Sequence, residues 1–279
     1  MTNEIPRYTL NDSNTLPVIG FGTVSLRDDS GTRSILNALE TGYRLLDTAV
    51  NYENEKEVGD AVRQSGLDRD EVQITSKIPG KDHSHDAAMR SVEGTLRRLG
   101  TDYLDLGLIH WPNPRRGRYL EAWQALINQR ERGLVRSIGV SNFTEEHLST
   151  IIDETGVVPT VNQIELHPYL PQQEMLTTNA SLGIRTESWS PLTKTRSFDE
   201  PAVVSAAEAH DVSPAQVVLR WHIQLGALPI PKSGDADRQR TNIDIFGFEL
   251  TDSEMVAITE LARPSGRIFG GDPETHEEL

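Results

Sequence analysis

The chain has 279 residues and a formal net charge of -15, with 42 acidic and 27 basic side chains. This charge disfavours nucleic acids and anionic membrane surfaces as partners, because both are themselves negative. The absence of cysteine excludes disulfide bonds, thiolate catalysis and cysteine-ligated zinc. The residues after Met1 lack a signal-peptide pattern, and no apolar run approaches the about 18 residues of a membrane span, which predicts a cytoplasmic protein.

Short apolar runs followed by amphipathic stretches recur along the chain, after an N-terminal pair, RYTL and LPVI, that predicts a small β-hairpin. Their ends are spaced by 24, 30, 33, 30, 23, 26 and 43 residues and fall at Thr23, Asp47, Lys77, His110, Val140, Gln163, Trp189 and Lys232. This spacing is close to one βα unit of about 30 residues. Eight such units predict an α/β fold, a (β/α)₈ TIM barrel, as a single domain over 1–279. A doubly wound sheet is the alternative, but GFGTVSL lacks the G-x-G-x-x-G phosphate turn.

Capping residues mark several of the predicted helices. Two helices are expected to end at Gly42 and Gly100, and three to begin after Thr144, Ser213 and Thr251. The long gap before the eighth strand predicts an extra helix within 199–222. The polar, Gly-rich tail GRIFGGDPETHEEL is either a lid over the barrel or disordered.

Four titratable side chains come at or just after the ends of consecutive strands: Asp47, Tyr52, Lys77 and His110. Taken singly, Asp47 is typical of a helix cap or turn former, Tyr52 of a packed ring and His110 of a hydrogen-bonded core residue. Because barrel active sites lie at the C-terminal ends of the strands, the set together favours a catalytic site. The Tyr52 phenol would protonate a carbonyl oxygen, with the Lys77 ammonium lowering its pKa. Asp47 would keep Lys77 charged, and His110 would orient the substrate oxygen.

An electron source is missing from these residues, and a bound nicotinamide would supply it. The stretch IPKSGDADRQRTN predicts a site for the 2′-phosphate of NADPH at Lys232, Ser233, Arg238 and Asn242. A solvated loop, with Asp235 and Asp237 capping a helix, is the alternative. Ser141, Asn142 and Gln163 offer partners for a carboxamide and Trp189 a stacking face, although each is also typical of turns or packing.

The strings DTAxxYxNE, ITSK, LIHWP, GVSNF, VNQIELHPY and IPKS resemble the aldo-keto reductase superfamily over about residues 8–262. The chain is most similar to the bacterial branch that includes 2,5-diketo-D-gluconate reductases. The resemblance implies a (β/α)₈ barrel that reduces small carbonyl substrates with NADPH (oxidised form NADP) and without metal. It makes Asp47, Tyr52, Lys77 and His110 the catalytic tetrad. The cofactor contacts that it implies are Thr23, Ser141, Asn142, Gln163, Trp189, Ser190, Leu192, Lys232, Ser233, Arg238 and Asn242, and the substrate contacts are Val24, Asn51 and Trp111.

The chain departs from the family pattern near the substrate. Val24 and Pro79 stand where aromatic residues are common, and Asn51 replaces a commonly apolar residue, which predicts a roomier and more polar pocket. The loop after SPL has Thr193 and Lys194 where the family uses glycine beside the cofactor pyrophosphate.

Two rival functions stay open. One is an NADPH-binding regulatory subunit with little turnover. The other is a metal-dependent hydrolase using His110, His167 or His222, of which only His110 falls at a strand end. A monomer is expected, since no apolar surface stripe is evident.

Overall fold

The computed structural model describes residues 5–278 and shows a closed barrel. The hairpin pairs β1 (Arg7–Thr9) with β2 (Thr15–Pro17). A sheet of eight parallel strands, paired in chain order within this range, comprises β3 (Phe21–Gly22), β4 (Leu45–Asp47), β5 (Gln73–Ile78), β6 (Leu104–Ile109), β7 (Val135–Ser141), β8 (Val161–Glu165), β9 (Arg185–Trp189) and β10 (Leu228–Pro229). The Gly20 and Gly22 amides donate to the carbonyls of Pro229 and Pro231, each at 3.0 Å. These bonds join the first barrel strand to the last, and the predicted barrel with its hairpin is confirmed.

Helices alternate with the strands around the outside of the barrel. In the described range they are α1 (Asp28–Thr41), α2 (Glu55–Gln64), α3 (His85–Leu99), α4 (Tyr119–Glu131), α5 (Glu145–Thr155), α6 (Gln173–Ser181), α7 (Pro201–His210), α8 (Pro214–Gln224), α9 (Ala236–Ile243) and α10 (Asp252–Thr259). The gap before the last strand holds two helices, α7 and α8. This is one more than a βα unit has, as the length of the gap predicts. None of the helices in this range is long and apolar enough to cross a membrane.

The helix ends follow the capping residues predicted from the sequence. Gly42 and Gly100 end α1 and α3 with φ of 116° and 68°, in the region that an L side chain rarely adopts. Thr144, Ser213 and Thr251 precede α5, α8 and α10, and each side-chain oxygen accepts from the backbone amide three residues on. Local chemistry therefore sets where these elements begin and end.

The hairpin closes one end of the barrel. Leu10 and Leu16 flank its turn and pack into a buried cluster with Leu45, Leu106 and Leu228 from the strands. Burying a leucine contributes about 1.5–3 kcal/mol of transfer free energy. This apolar floor leaves the opposite rim, where the strands have their C-terminal ends, for polar side chains; we call this rim the mouth.

The segment 268–278, the tail, lies over the mouth. The Ile268 amide donates to Oε1 of Glu165 at 2.6 Å. The Phe269 ring lies 5.7 Å from the ring of Trp189, and the His276 ring lies 4.2 Å from that of Trp111. The sequence allowed two alternatives for this tail, a lid over the barrel or a disordered segment. The structure shows the lid.

Candidate active site

Neighbouring strands bring the predicted tetrad together at the mouth. Asp47 is the last residue of β4, and Lys77 is next to last in β5. His110 directly follows β6, and Tyr52 ends a short 3-10 turn after β4. Because parallel strands carry their C-terminal ends to one rim, residues up to 63 positions apart in the chain meet here.

The buried ion pair of Asp47 and Lys77 organises this group. The Lys77 Nζ donates to Oδ1 of Asp47 at 2.6 Å, to the carbonyl of Thr48 at 3.0 Å and to the Tyr52 hydroxyl at 3.4 Å. Burial alone would lower the pKa of the Lys77 ammonium, but Asp47, with smaller contributions from Tyr52 and Glu187, outweighs burial, and the pKa lies above its ordinary value. Lys77 therefore stays a cation beside the phenol.

The Tyr52 phenol does not behave as the sequence predicts. Burial raises its pKa, and the charge of Lys77 lowers it, but the net pKa is above the ordinary value of 10.0 because burial and Asp47 outweigh the lysine. The phenol is consequently protonated at neutral pH, as a proton donor must be. The ring edge faces His110, with 5.8 Å between the ring centroids.

A cavity of about 610 Å³ opens at this rim, within the usual range for small-molecule sites. Asp47, Tyr52 and His110 line it. So do most of the other predicted contacts: Thr23, Val24, Trp111, Ser141, Asn142, Gln163, Trp189, Ser190, Leu192 and Lys232. The remaining predicted residues do not line it: Lys77 lies behind the phenol, Asn51 contacts the tail, Ser233 lies in the loop after β10, and Arg238 and Asn242 lie in α9.

The polar side chains of β8 and of the C-terminal end of β7 are held by hydrogen bonds to neighbouring residues of the mouth. The Ser141 hydroxyl donates to the Gln163 carbonyl at 2.8 Å, and Asn142 Nδ2 donates to the His110 carbonyl at 3.0 Å. The Trp189 indole donates to Oδ1 of Asn142 at 2.8 Å. These bonds fix the wall of the cavity, so its amide groups are positioned in advance of any ligand.

A buried carboxyl that sequence reasoning missed lies below this wall. Gln163 Nε2 donates to Oδ2 of Asp47 at 2.8 Å and to Oε1 of Glu187 at 3.0 Å. Burial, with the neighbouring Asp47 charge, raises the pKa of Glu187 to about 8. The sequence contains a signal for this residue. Glu187 comes two residues before Trp189 in the same strand, and alternate residues of a strand lie on the same face.

The loop after β10 carries cations that have no ion-pair partner in the described chain. Asp235 caps α9, since its Oδ1 accepts from the Arg238 amide at 2.9 Å, and Asp237 pairs with Arg240. The helix-capping alternative for Asp235 is thus confirmed. Lys232 and Arg238 are exposed and make no salt bridge among residues 5–278. Because the loop's own acids are engaged elsewhere, these two charges suit a phosphate group.

The tail adds lining residues that sequence reasoning did not name, and the loop after β9 adds one that it noted only as a departure from the family pattern: Phe269, Gly271 and His276, and Lys194. The Lys194 Nζ lies 4.0 Å from the centroid of the Phe269 ring. Val24 is 44% exposed into the open mouth. An aromatic ring from the tail therefore lines a cavity from which two aromatic positions of the family pattern are missing.

The further histidines of the rival hydrolase, His167 and His222, have other partners. His167 Nε2 is 3.2 Å from Oε1 of Glu165, and His222 contacts Ser188 and the Pro191 carbonyl. In the part of the chain that the structure describes, no three His, Asp or Glu side chains are grouped as metal ligands would be.

A closed barrel whose mouth holds a phenol, an ammonium–carboxylate pair and an imidazole beside a cavity has the groups for proton transfer to a carbonyl oxygen. Residues 18–263 match the model of the aldo/keto reductase family. The 2,5-diketo-D-gluconic acid reductase B of Corynebacterium sp. is 56% identical over 277 residues, covering 99% of each chain. The chain belongs to the aldo/keto reductase family, and the expected family and class of oxidoreductase are confirmed.

Solved structures agree with this assignment. A mutant of Gox0644 in complex with NADPH superposes with a TM-score of 0.93 at 42% identity, covering 98% of each chain. A Bombyx mori aldo-keto reductase in complex with NADP gives 0.88 at 32% identity, covering 98% of this chain and 94% of that one.

Proposed function

We propose that this chain reduces aldehydes and ketones to alcohols with NADPH, and that Tyr52 is the proton donor. The observation that carries the proposal is the position of the Tyr52 hydroxyl, 3.4 Å from the Lys77 ammonium and on the wall of the cavity. Bound in this cavity, NADPH supplies the hydride to the carbonyl carbon. Family membership and the NADPH complex of a solved relative support the cofactor.

Each tetrad residue has a role that its contacts support. Tyr52 gives its proton to the carbonyl oxygen as negative charge develops there. Lys77 stabilises the resulting phenolate, because its charge lies within hydrogen-bond reach. Asp47 keeps Lys77 charged and oriented, and His110 donates to the same substrate oxygen.

Different side chains around the cavity contact different parts of the cofactor. Lys232, Ser233 and Arg238 take the 2′-phosphate, and Asn242 takes the adenine. Ser141, Asn142 and Gln163 hold the carboxamide, and Trp189 stacks on the nicotinamide ring. Thr23, Ser190 and Leu192 line the remaining path. The unpaired charges of Lys232 and Arg238 support this division, since a dianion gains most from cations that no acid already neutralises.

The substrate side of the cavity is lined by apolar and aromatic groups with a few polar ones: Val24, Trp111, Phe269 and His276. The relative named 2,5-diketo-D-gluconic acid reductase B makes that diketo acid the first substrate to try. Simple aldehydes, ketoses and α-keto esters complete the panel.

The test is NADPH consumption, followed by its absorbance, for wild type and Tyr52→Phe across this panel. Loss of a general acid costs about 10²–10⁴ in rate, so we expect kcat to fall by that factor while the NADPH Kd, measured by fluorescence, stays unchanged. Tyr103→Phe makes the same chemical change at a ring that packs on Arg69 and Arg136, away from the cavity, and should retain full activity.

Near-normal kcat in Tyr52→Phe would refute the acid assignment. Tight NADPH binding by wild type without turnover of any carbonyl would instead favour the regulatory subunit. The cytoplasmic location and the monomeric state stay predictions.

A further inference from the structure

The Glu278 side chain reaches back from the tail to the imidazole of His110. Its Oε1 lies 2.6 Å from Nδ1 of His110 and accepts from Asn51 Nδ2 at 2.8 Å. Its Oε2 accepts from the Gly80 amide at 3.0 Å. Nδ1 is buried, and the Glu278 contact, although short, lies off the line of an N–H bond, so that Nδ1 makes no hydrogen bond among the described residues. The Glu278 carboxylate therefore acts on this imidazole nitrogen through its charge.

The backbone of Glu278 is held as firmly as its carboxylate. Asn113, which is fully buried, donates from Nδ2 to the Glu278 carbonyl at 2.6 Å and accepts from the Glu278 amide at 3.3 Å. Gly80 permits this approach, because a Cβ there would lie 2.5 Å from the Glu278 carbonyl oxygen and 2.1 Å from Asn113 Nδ2. The docking site is thus built from side chain and backbone of three separate loops.

Two positions that depart from the family pattern belong to this docking site. Asn51, which replaces a commonly apolar residue, points its amide at Glu278. Pro79, which replaces a common aromatic residue, leads directly into Gly80, whose amide holds the other oxygen. The Asn51 departure thus supplies one donor for this carboxylate, and the residue that follows Pro79 supplies another.

The donor set also determines where a proton must be. An ionised carboxylate only accepts hydrogen bonds, and the groups facing Glu278 from the Asn51 and Gly80 sides are donors. Burial raises the pKa of the Glu278 carboxyl, but His110 and the donors from Gly80 and Asn51 together lower it by more. The net pKa therefore lies below its ordinary value. An ionised oxygen 2.6 Å from Nδ1 favours a proton on Nδ1, since the negative charge would otherwise repel the nitrogen lone pair.

We propose that Glu278 is a positioning residue for His110: its carboxylate keeps Nδ1 protonated and turned inward, so that Nε2 faces the substrate oxygen and a second proton there makes the ring a charged donor. This proposal rests on the proposed carbonyl reduction. The negative charge of Glu278 offsets the positive charge that the imidazole carries while it donates.

The first test compares Glu278→Gln with wild type in steady-state carbonyl reduction. The substitution keeps the side-chain volume and an acceptor oxygen but removes the charge. We expect kcat and kcat/KM to fall together by about tenfold, by analogy with carboxylates that orient metal-binding histidines. The NADPH Kd and the Tm should stay at wild-type values. Glu277→Gln is the matched control, because Glu277 contacts Arg115 and Arg116 and not His110.

The second test does not depend on turnover. Nitrogen-15 spectra of the histidine rings in cofactor-free protein, assigned with His110→Gln, report which nitrogen carries the proton. We expect Nδ1 of His110 to be protonated in wild type. In Glu278→Ala, the proton of the neutral ring should move to Nε2.

Each result decides the matter. A merely structural tail contact would leave Glu278→Gln as active as wild type, and an inhibitory tail would make Glu278→Ala more active; either result overturns the proposal, as does an unprotonated Nδ1 in wild type. If wild type reduces no carbonyl, the proposed function fails, while the spectra still determine whether Glu278 fixes the proton on His110.

Discussion

Charged side chains are arranged in opposite ways at the two ends of the proposed site. On one side, Asp47 and Lys77 are paired with each other and both side chains are at most 2% exposed. On the other, Lys232 and Arg238 are exposed and unpaired within residues 5–278. Groups that take part in bond making must already be desolvated and oriented, whereas groups that bind an anion must be free when it arrives. The contrast separates the residues that support catalysis from those that support cofactor choice.

Lys77→Met should have the largest effect, because it removes one member of the buried pair. Breaking such a pair costs about 3–5 kcal/mol of the free energy of unfolding, since Asp47 would be left charged and buried. Urea unfolding monitored by tryptophan fluorescence measures this loss. Lys56→Met removes a lysine of the exposed pair with Asp60 and should change stability little.

The double variant Asp47→Asn with Lys77→Met sharpens the test. It replaces the buried charges with neutral groups of similar size and should recover most of the lost stability while remaining inactive. If Lys77→Met is as stable as wild type, the buried pair does not contribute to the free energy of unfolding. The contrast between the two regions would then fail.

Sequence reasoning succeeded where the signal is local or periodic. Gly42 and Thr144 mark helix ends by their own backbone and hydrogen-bond preferences, and the spacing of the apolar runs defines the barrel. The position of Lys77 on its strand follows from the rule that barrel sites lie at strand ends. These inferences need no knowledge of distant contacts.

The rest depends on burial depth and on contacts between distant residues. The net pKa of Tyr52 could not be predicted, because it depends on how deeply the phenol is buried as well as on Lys77. The docking of Glu278 joins positions 165 to 227 residues apart, and no local pattern in the tail reports it. Glu187 could be predicted in part. Alternation along the strand gives the face of the sheet on which it lies, but not its raised pKa.

Arg238→Ala tests the unpaired side of the comparison. Removing a guanidinium from a phosphate dianion should weaken NADPH binding by about tenfold or more, as charge-assisted hydrogen bonds are worth about 1.5–3 kcal/mol. NADH lacks that phosphate, so its Kd should change much less. Fluorescence titration with both cofactors measures the two constants.

Arg240→Ala is the matched control for this prediction. Arg240 lies on the same helix, is also exposed, and already pairs with Asp237. Its loss should leave NADPH binding close to wild type. Equal weakening of NADPH and NADH in Arg238→Ala would remove the proposed 2′-phosphate role.

Glu187→Gln should have the smallest effect on activity and concerns the buried side again. The folded chain holds a proton on Glu187 up to about pH 8, whereas the unfolded chain releases it near the ordinary pKa of 4.5. Stability of wild type should therefore fall as pH rises through that window, because the folded state binds the extra proton. A glutamine side chain has no such proton, so Glu187→Gln should gain stability relative to wild type between about pH 5 and pH 9. Each kcal/mol of relative gain corresponds to about 2–4 °C in Tm.

Thermal unfolding of both proteins at the two pH values measures this difference, with the exposed Glu249→Gln as the control. A pH-independent difference would mean that Glu187 is ionised in the folded chain. Gln163 would then join two carboxylates, and Lys77 alone would have to balance both charges. The buried side would carry a net negative charge, which would hold the Tyr52 proton more tightly and work against its transfer to the substrate.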